Sequence, residues 1–277
     1  MDLETFFRSH TNIVQVRLTR VRGSSPRNEG TEMFVAPGGV HGTIGGGQLE
    51  YMVIDNARQL LRAGEETRAM DVPLGPDIGQ CCGGRVELSL SRMQTAGLEA
   101  ALKAARDAKA AQPHVYVMGA GHVGRALAHF FQALPVRCIL IDSRAEELAL
   151  SDAQVEKRLQ AVPEAEVRGA PPGSAFVILT HDHALDYLLT AEALRRGDAA
   201  YVGLIGSATK RARFESFCAE TEPQLNTTAL VCPIGAFGSA DKRPEVIASF
   251  VVAEVLARLT PVRTPREEPG LRQPSRR

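Results

Sequence analysis

The 277-residue sequence predicts an α/β protein: an N-terminal mixed α+β domain followed by a doubly wound parallel sheet. Three observations predict it. The first ~90 residues read mostly as short, partly alternating apolar segments between Gly- and Pro-containing turns. From Pro113 onward, short apolar runs alternate with segments of helical period, as in a parallel sheet covered by helices on both faces. Where the first such run meets the first such helix, Gly119, Gly121 and Gly124 stand at G-x-G-x-x-G spacing.

In the N-terminal half, Asn12 to Val21 alternates in part through Ile13, Val14, Val16, Leu18 and Val21 and reads as a strand. The segment GSSPR, Gly23 to Arg27, is a turn, because Gly frees the backbone and Pro26 sets φ. Thr31 to Ala36 is a second strand, and Pro37 to Gly39 turns it into a third from Val40 to Ile44. Gly45, Gly46 and Gly47 precede a helix over Gln48 to Leu61, with Leu49, Met52, Val53, Ala57 and Leu60 on its apolar side. Thr67 to Val72 and Arg85 to Leu90 complete the strands, and GPDIGQCCGG lies between them. The Ala-rich stretch 95–110 is a helix stopped before Pro113 and is expected to connect the domains.

In the C-terminal half, His114 to Met118 is a strand and GAGHVG opens a helix with Val123, Leu127, Phe130, Phe131 and Leu134 on one side. Pro135 stops that helix, and Val136 to Ile141 is the next strand, followed by Asp142. Ala175 to Leu179, Ala200 to Ile205 and Ala229 to Cys232 are further strands, with helices over Ala184 to Arg196 and Thr209 to Ala219 between them. Lys242 to Leu259 is the final helix, with Pro244 at an early position it tolerates. The expected division is 1–94, a helical linker 95–112, a Rossmann-like domain 113–260, and a disordered tail 261–277 rich in Pro and Arg.

Composition excludes several classes. Lys plus Arg number 32 and Asp plus Glu number 32, so no global field attracts nucleic acid or anionic lipid. No basic-then-apolar leader and no spanning run is seen, so a cytoplasmic globular protein with no membrane association is expected. Five cysteines at irregular spacing argue against a disulfide framework, and no CxxC pair or His-x3-His suggests zinc. Cys81 and Cys82 are adjacent, too close for an unstrained disulfide, and are expected to be thiols. Two thiols among Gly and Gln have little to pack against; a thiolate is a soft metal ligand and nucleophile.

The glycine fingerprint suits an anion. Its first Gly permits the tight turn, its second admits a phosphate and its third packs helix on strand, while helix amides and dipole favour negative charge. NAD(P), another phosphate-bearing ligand, and a turn with no ligand are the three readings. Asp142, at the end of the next strand, is placed to bond a ribose hydroxyl. THDH, Thr180 to His183, sits at the carboxyl end of a strand: Asp182 caps the next helix, or His181 and Asp182 contact a ligand, or His181 and His183 bind a metal. Gly45 to Gly47 form an anion cradle or a strained hinge. GLIGS, with Gly206, repeats the strand–Gly–helix theme at the same edge, and the charges of DKRP at 241–244 read as solvated caps.

The motifs GSSPR, HGTIGGGQLE, GPDIGQCCGGRVEL, VYVMGAGHVGRAL, LTHDHALD, YVGLIGSATKR and DKRPEVIAS, in that order from about residue 10 to residue 260, resemble the XdhC/CoxI family. The resemblance implies a molybdenum cofactor chaperone whose cargo is molybdopterin. Such a protein holds the cofactor while a cysteine desulfurase replaces a Mo=O oxygen by sulfur, then delivers it to xanthine dehydrogenase or a related molybdenum hydroxylase. It also implies a homodimer. Carried over by motif, the cofactor-binding residues are Cys81, Cys82, Gly45, Gly46, Gly47, Gly119, Gly121, Gly124, Asp142, His181, Asp182 and Gly206, with Cys81 and Cys82 as ligands to molybdenum. Two alternatives stand beside it. One is an NAD(P)-binding oxidoreductase, for which no convincing proton donor is found. The other is a nucleotide-sensing or scaffold module.

Overall fold

The computed structural model describes residues 1–76 and 83–260. The chain divides into two compact units, the first Met1–Ala110 and the second beginning at Ala111.

The first unit is built on a five-stranded antiparallel sheet in the order β3-β2-β1-β5-β4. Its strands are β1 (Val14–Arg22), β2 (Glu32–Ala36), β3 (Gly39–Gly42), β4 (Thr67–Pro73) and β5 (Arg85–Arg92). Alternation places Val14, Val16 and Leu18 of β1 beside Val86, Leu88 and Leu90 of β5, all on the face that α2 (Gly47–Ala63) covers with Leu49, Val53, Ala57 and Leu60. Burial of this single stripe holds α2 to the sheet. Gly64 ends α2 in the left-handed region, with its N–H returned to the last turn. A smaller cluster joins α1 (Leu3–Ser9) and α3 (Thr95–Ala110): Phe6, Phe7, Ile13, Phe34, Ala36 and Ala101 are buried together. The helix expected as a connector therefore packs within the first unit. Helix α1 lacks the length for a clear period; Asp2 starts it, its carboxylate accepting from Thr5 N at 2.8 Å.

The second unit is a six-stranded parallel sheet in the order β11-β10-β9-β6-β7-β8. The strands are β6 (His114–Met118), β7 (Arg137–Asp142), β8 (Glu156–Leu159), β9 (Ala175–Ile178), β10 (Tyr201–Leu204) and β11 (Leu230–Val231). Alternate residues of each strand face opposite layers. Val115, Val117, Leu140 and Val177 pack under α4 (His122–Phe131) and α9 (Pro244–Leu259). Tyr116, Met118, Ile139, Phe176, Ile178 and Leu204 pack under α6 (Glu164–Gly169), α7 (His183–Arg195) and α8 (Ala208–Thr221). Both faces are covered, which is why these strands read as continuous apolar runs.

Three elements here escape the apolar period. The short α5 (Ala145–Ala149) and α6 each bury one large apolar residue, Leu148 and Val167. Strand β8, EKRL, is charged; it exists because its backbone completes the β7 edge and because Glu156 pairs with Arg137 at 2.7 Å and Arg158 at 2.6 Å. Charge on an edge strand also discourages further strand addition. Helix α4 ends at Phe131 rather than running on toward Pro135, while Leu134 still packs on the core.

Candidate functional site

The second unit places its candidate site where strand order reverses. The chain leaves β6 toward β7 on one side, whereas β9, reached later, lies on the other side of β6. Ligand crevices in doubly wound sheets open at this point. The segments Gly119–Gly124 and Leu179–Asp182 lie there side by side. Gly119 has φ +128°, and a Cβ on it would sit 2.3 Å from Leu179 O. A Cβ on Gly124 would sit 1.9 Å from Gly119 O. Two of the fingerprint glycines are thus demanded by backbone packing. Gly121 is not: nothing lies within 4 Å of its Cβ position. It is the N-cap of α4, without a side-chain cap bond, and it leaves the helix amides open to approach. The adjoining crevice is narrow and is lined by Met118, Gly119, Ile141, Asp142, Ser143, Pro163, Thr180, His181, Leu185 and Leu189.

Asp142 is 6% exposed and fully engaged by its own chain. One carboxylate oxygen accepts Ala120 N at 2.7 Å and Arg144 Nη2 at 3.0 Å; the other accepts Arg144 N and Nε, each at 3.0 Å. Burial pushes its carboxyl up, but the bonds from Arg144 and Ala120 outweigh burial and hold it below the ordinary carboxylate range. A ribose hydroxyl would have to displace these bonds. Arg125 ties the same turn to α5, bonding Ala120 O and Glu147, each at 2.6 Å.

Across the crevice a second carboxylate organises the loop. Asp186 of α7 is 1% exposed. It accepts Thr180 N at 2.9 Å and Thr180 Oγ1 at 2.8 Å, and pairs with Lys210 Nζ, whose side chain is 11% exposed. Lys210 is on α8 and reaches back past Gly206, where a Cβ would meet the Lys210 stem at 2.7 Å. Asp182 caps α7, accepting Ala184 N at 2.7 Å and Leu185 N at 3.4 Å. His181, Asp182 and His183 are exposed, and His181 lines the crevice. Among the described residues no group of three or more His, Cys, Asp or Glu is placed to hold a metal.

In the first unit three separated motifs meet. The turn before α2 is held by Glu50, whose Oε2 accepts Ile44 N at 3.1 Å, Gly46 N at 3.0 Å and the Thr43 hydroxyl. The chain's own carboxylate thus occupies part of the cradle expected at Gly45 to Gly47. A Cβ on Gly45 would fall 2.5 Å from the Pro26 ring, which seats GSSPR against this turn. Gly84 approaches the same GSSPR segment: its Cβ would lie 2.0 Å from Ser24 O, and Gly83 bridges Ser24. The β4–β5 connection is closed at its base by Leu74 N to Gly84 O at 2.8 Å and Gly83 N to Leu74 O at 2.9 Å. Cys81 and Cys82 lie outside the described residues.

The other three thiols are sequestered. Cys138, Cys218 and Cys232 are buried. Burial pushes the Cys138 thiol up to about 12, and burial likewise raises those of Cys218 and Cys232. A thiol held protonated is a poor nucleophile and ligand.

The sequence pattern of the XdhC Rossmann domain matches residues 115–255, and that of the XdhC and CoxI family matches residues 7–71. The chain belongs to the XdhC and CoxI family. The XdhC/CoxI chain is also 27% identical over 250 residues to the uncharacterized protein YqeB of Escherichia coli K12, covering 85% of this chain and 41% of YqeB. Its fold is that of a Bacillus halodurans crystal structure described as a xanthine dehydrogenase: TM-score 0.81, 18% identity, 96% of this chain and 97% of that one.

Within this XdhC/CoxI chain the fold brings Gly119, Asp142 and His181 to the lining of one crevice; Gly124 packs against Gly119, Gly206 against Lys210, and Gly121 and Asp182 cap α4 and α7 outside that lining. Gly45, Gly46 and Gly47 belong to the first unit, beside GSSPR and Gly84. Sequence reasoning missed Glu50, Arg144 and Lys210, and read Asp186 with Asp182 as carboxylates added to His181 and His183, whereas it binds Thr180 and Lys210. A spacing signal existed for Asp186, four residues after the Asp182 cap on α7. Glu50 stands in the first turn of α2, where a carboxylate meets free amides.

Proposed function

We propose that this chain is an accessory protein of xanthine dehydrogenase or a related molybdenum hydroxylase: it binds molybdopterin cofactor as cargo, holds it during sulfuration by a cysteine desulfurase, and hands it on. The observation that carries the reading is the meeting of GSSPR, the glycine turn before α2 and Gly83–Gly84, which follow Cys81 and Cys82 directly in sequence. The other thiols are buried and held protonated, so soft-donor chemistry falls to this pair. Molybdenum in a dithiolene is thiophilic, and one reversible thiolate contact suits a carrier that must release its load. The phosphate of such a cofactor is suited by the open amides at Gly121, where helix dipole and free N–H groups favour an anion. Family membership supports the same client.

The NAD(P)-dependent reading is disfavoured by Asp142. Its carboxylate is spent on Ala120 and Arg144, leaving no free acceptor for a ribose diol. The test is purification from molybdate-replete cells, followed by elemental analysis, oxidised-pterin fluorescence and NADPH titration. Bound pterin and molybdenum, lost on Cys81→Ser or Cys82→Ser, is the expected result. Tight NADPH binding without pterin would overturn the proposal.

A further inference from the structure

We infer that the first unit carries a second anion site, for a small phosphate-bearing molecule, in the cleft between α2 and the end of β5. The cleft has a volume of about 270 Å³ and is lined by Asn12, Pro37, Arg58, Leu61, Arg62 and Arg92. Arg58 and Arg62 are one helical turn apart on α2, so they share a face. Arg92 ends β5, and its Nη2 bonds Asn12 Oδ1 at 3.2 Å.

What marks the cleft is loosely matched charge, with none at Arg58 among the described residues. The other half-buried arginines are matched closely. Arg68, Arg125, Arg144, Arg158, Arg196 and Arg211 have carboxylate oxygens at 2.7, 2.6, 3.0, 2.6, 2.9 and 2.9 Å. In the cleft, half-buried Arg92 is 3.9 Å from Glu66, beyond hydrogen-bond range, and Arg62, an exposed side chain at the rim, is 3.8 Å from Asp55. Among the described residues Arg58, also half-buried, has no carboxylate within 4 Å and one long bond, Nε to Ala36 O at 3.5 Å. Withdrawing a guanidinium from water without an opposite charge is costly, and five N–H donors are left with one distant acceptor. An anion in the cleft removes both costs. Phosphate is the class that fits: its tetrahedral oxygens can accept from guanidinium forks on two elements at once, and its charge matches the excess. Pro37 and Leu61 offer apolar wall to the group it is attached to.

None of these residues belongs to the glycine turns or the crevice described above, so the inference stands apart from the proposed cargo. Pyrophosphate is titrated calorimetrically into the full chain at fixed low ionic strength, without molybdopterin. Expected is saturable binding that weakens about tenfold or more in Arg58→Gln and in Arg92→Gln, and partly in Arg58→Lys, which keeps the charge but not the fork. Arg106→Gln, on α3, is expected to bind as wild type, and Gly121→Glu, at the turn proposed for the cofactor phosphate, to keep the saturable site that Arg58→Gln weakens. No saturable binding, or wild-type binding by folded Arg58→Gln, overturns the inference. So does loss of binding in Gly121→Glu, which would locate the anion in the crevice.

Discussion

Breaking the Asp186–Lys210 pair tests how the crevice is held together. Asp186 is 1% exposed and Lys210 11%, so neither charge is well hydrated, and each is the other's only ionic partner among the described residues. Asp186→Ala leaves the ammonium buried and frees Thr180 N, whose 2.9 Å bond ends on that carboxylate. Removing one partner of a buried pair costs about 3–5 kcal/mol. For a unit of this size that lowers its melting temperature by roughly 6–20 °C. Lys210→Met strands the carboxylate and is expected to cost a similar amount. Asp186→Ala with Lys210→Met removes both charges, and its cost is expected to fall short of the sum of the single changes by about 2 kcal/mol or more. Urea unfolding measures the cycle, and hydrogen exchange of the peptide containing Thr180 reports the local opening. Single variants within about 0.5 kcal/mol of wild type, or additive costs, would refute the argument that this pair anchors the loop.

Three further outcomes follow from the geometry. Gly124→Ala drives a Cβ to 1.9 Å from Gly119 O and is expected to unfold the second unit, whereas Gly121→Ala leaves its melting unchanged; equal melting of the two variants would contradict the packing account. Asp142 is held below the ordinary carboxylate range, so its stabilisation is complete above about pH 4–5 and is lost as pH falls through the lowered value. Asp142→Asn is therefore expected to flatten the acid limb of the stability profile, and acid limbs of the same steepness would speak against it. Native Cys138, its thiol pushed up to about 12, is expected to resist iodoacetamide near pH 8 until urea is added; peptide mapping that finds it alkylated in the native protein would show the site to be open.

The strands and long helices were legible in two ways. Alternation and helical period locate β1, β5 and α2, and continuous apolar runs separated by helical segments locate β6, β7, β9 to β11 and α7 to α9, within a few residues of their observed ends. Elements without a stripe were not legible. Strand β8 exists through backbone pairing and ion pairs, α1 through a cap and two phenylalanines, and α5 and α6 through one buried apolar side chain each. At the site, glycine spacing announced the turn but not which glycine was free. Gly119 and Gly124 are consumed by contacts with Leu179 O and with each other, contacts that join residues far apart or fold the loop on itself.

Local rules therefore settle a great deal here: two domains' worth of elements, the strand–glycine–helix junction, the cap at Asp182, and a family signature distributed along the chain. Each of these depends on neighbours within a few residues. Which charges are satisfied is a different matter, since it depends on partners brought together from distant segments. Asp142 is claimed by Ala120 and Arg144, Asp186 by Lys210 across 24 positions, and Arg58 by no carboxylate within reach among the described residues. Desolvation makes those pairings decisive, and only the folded arrangement assigns them.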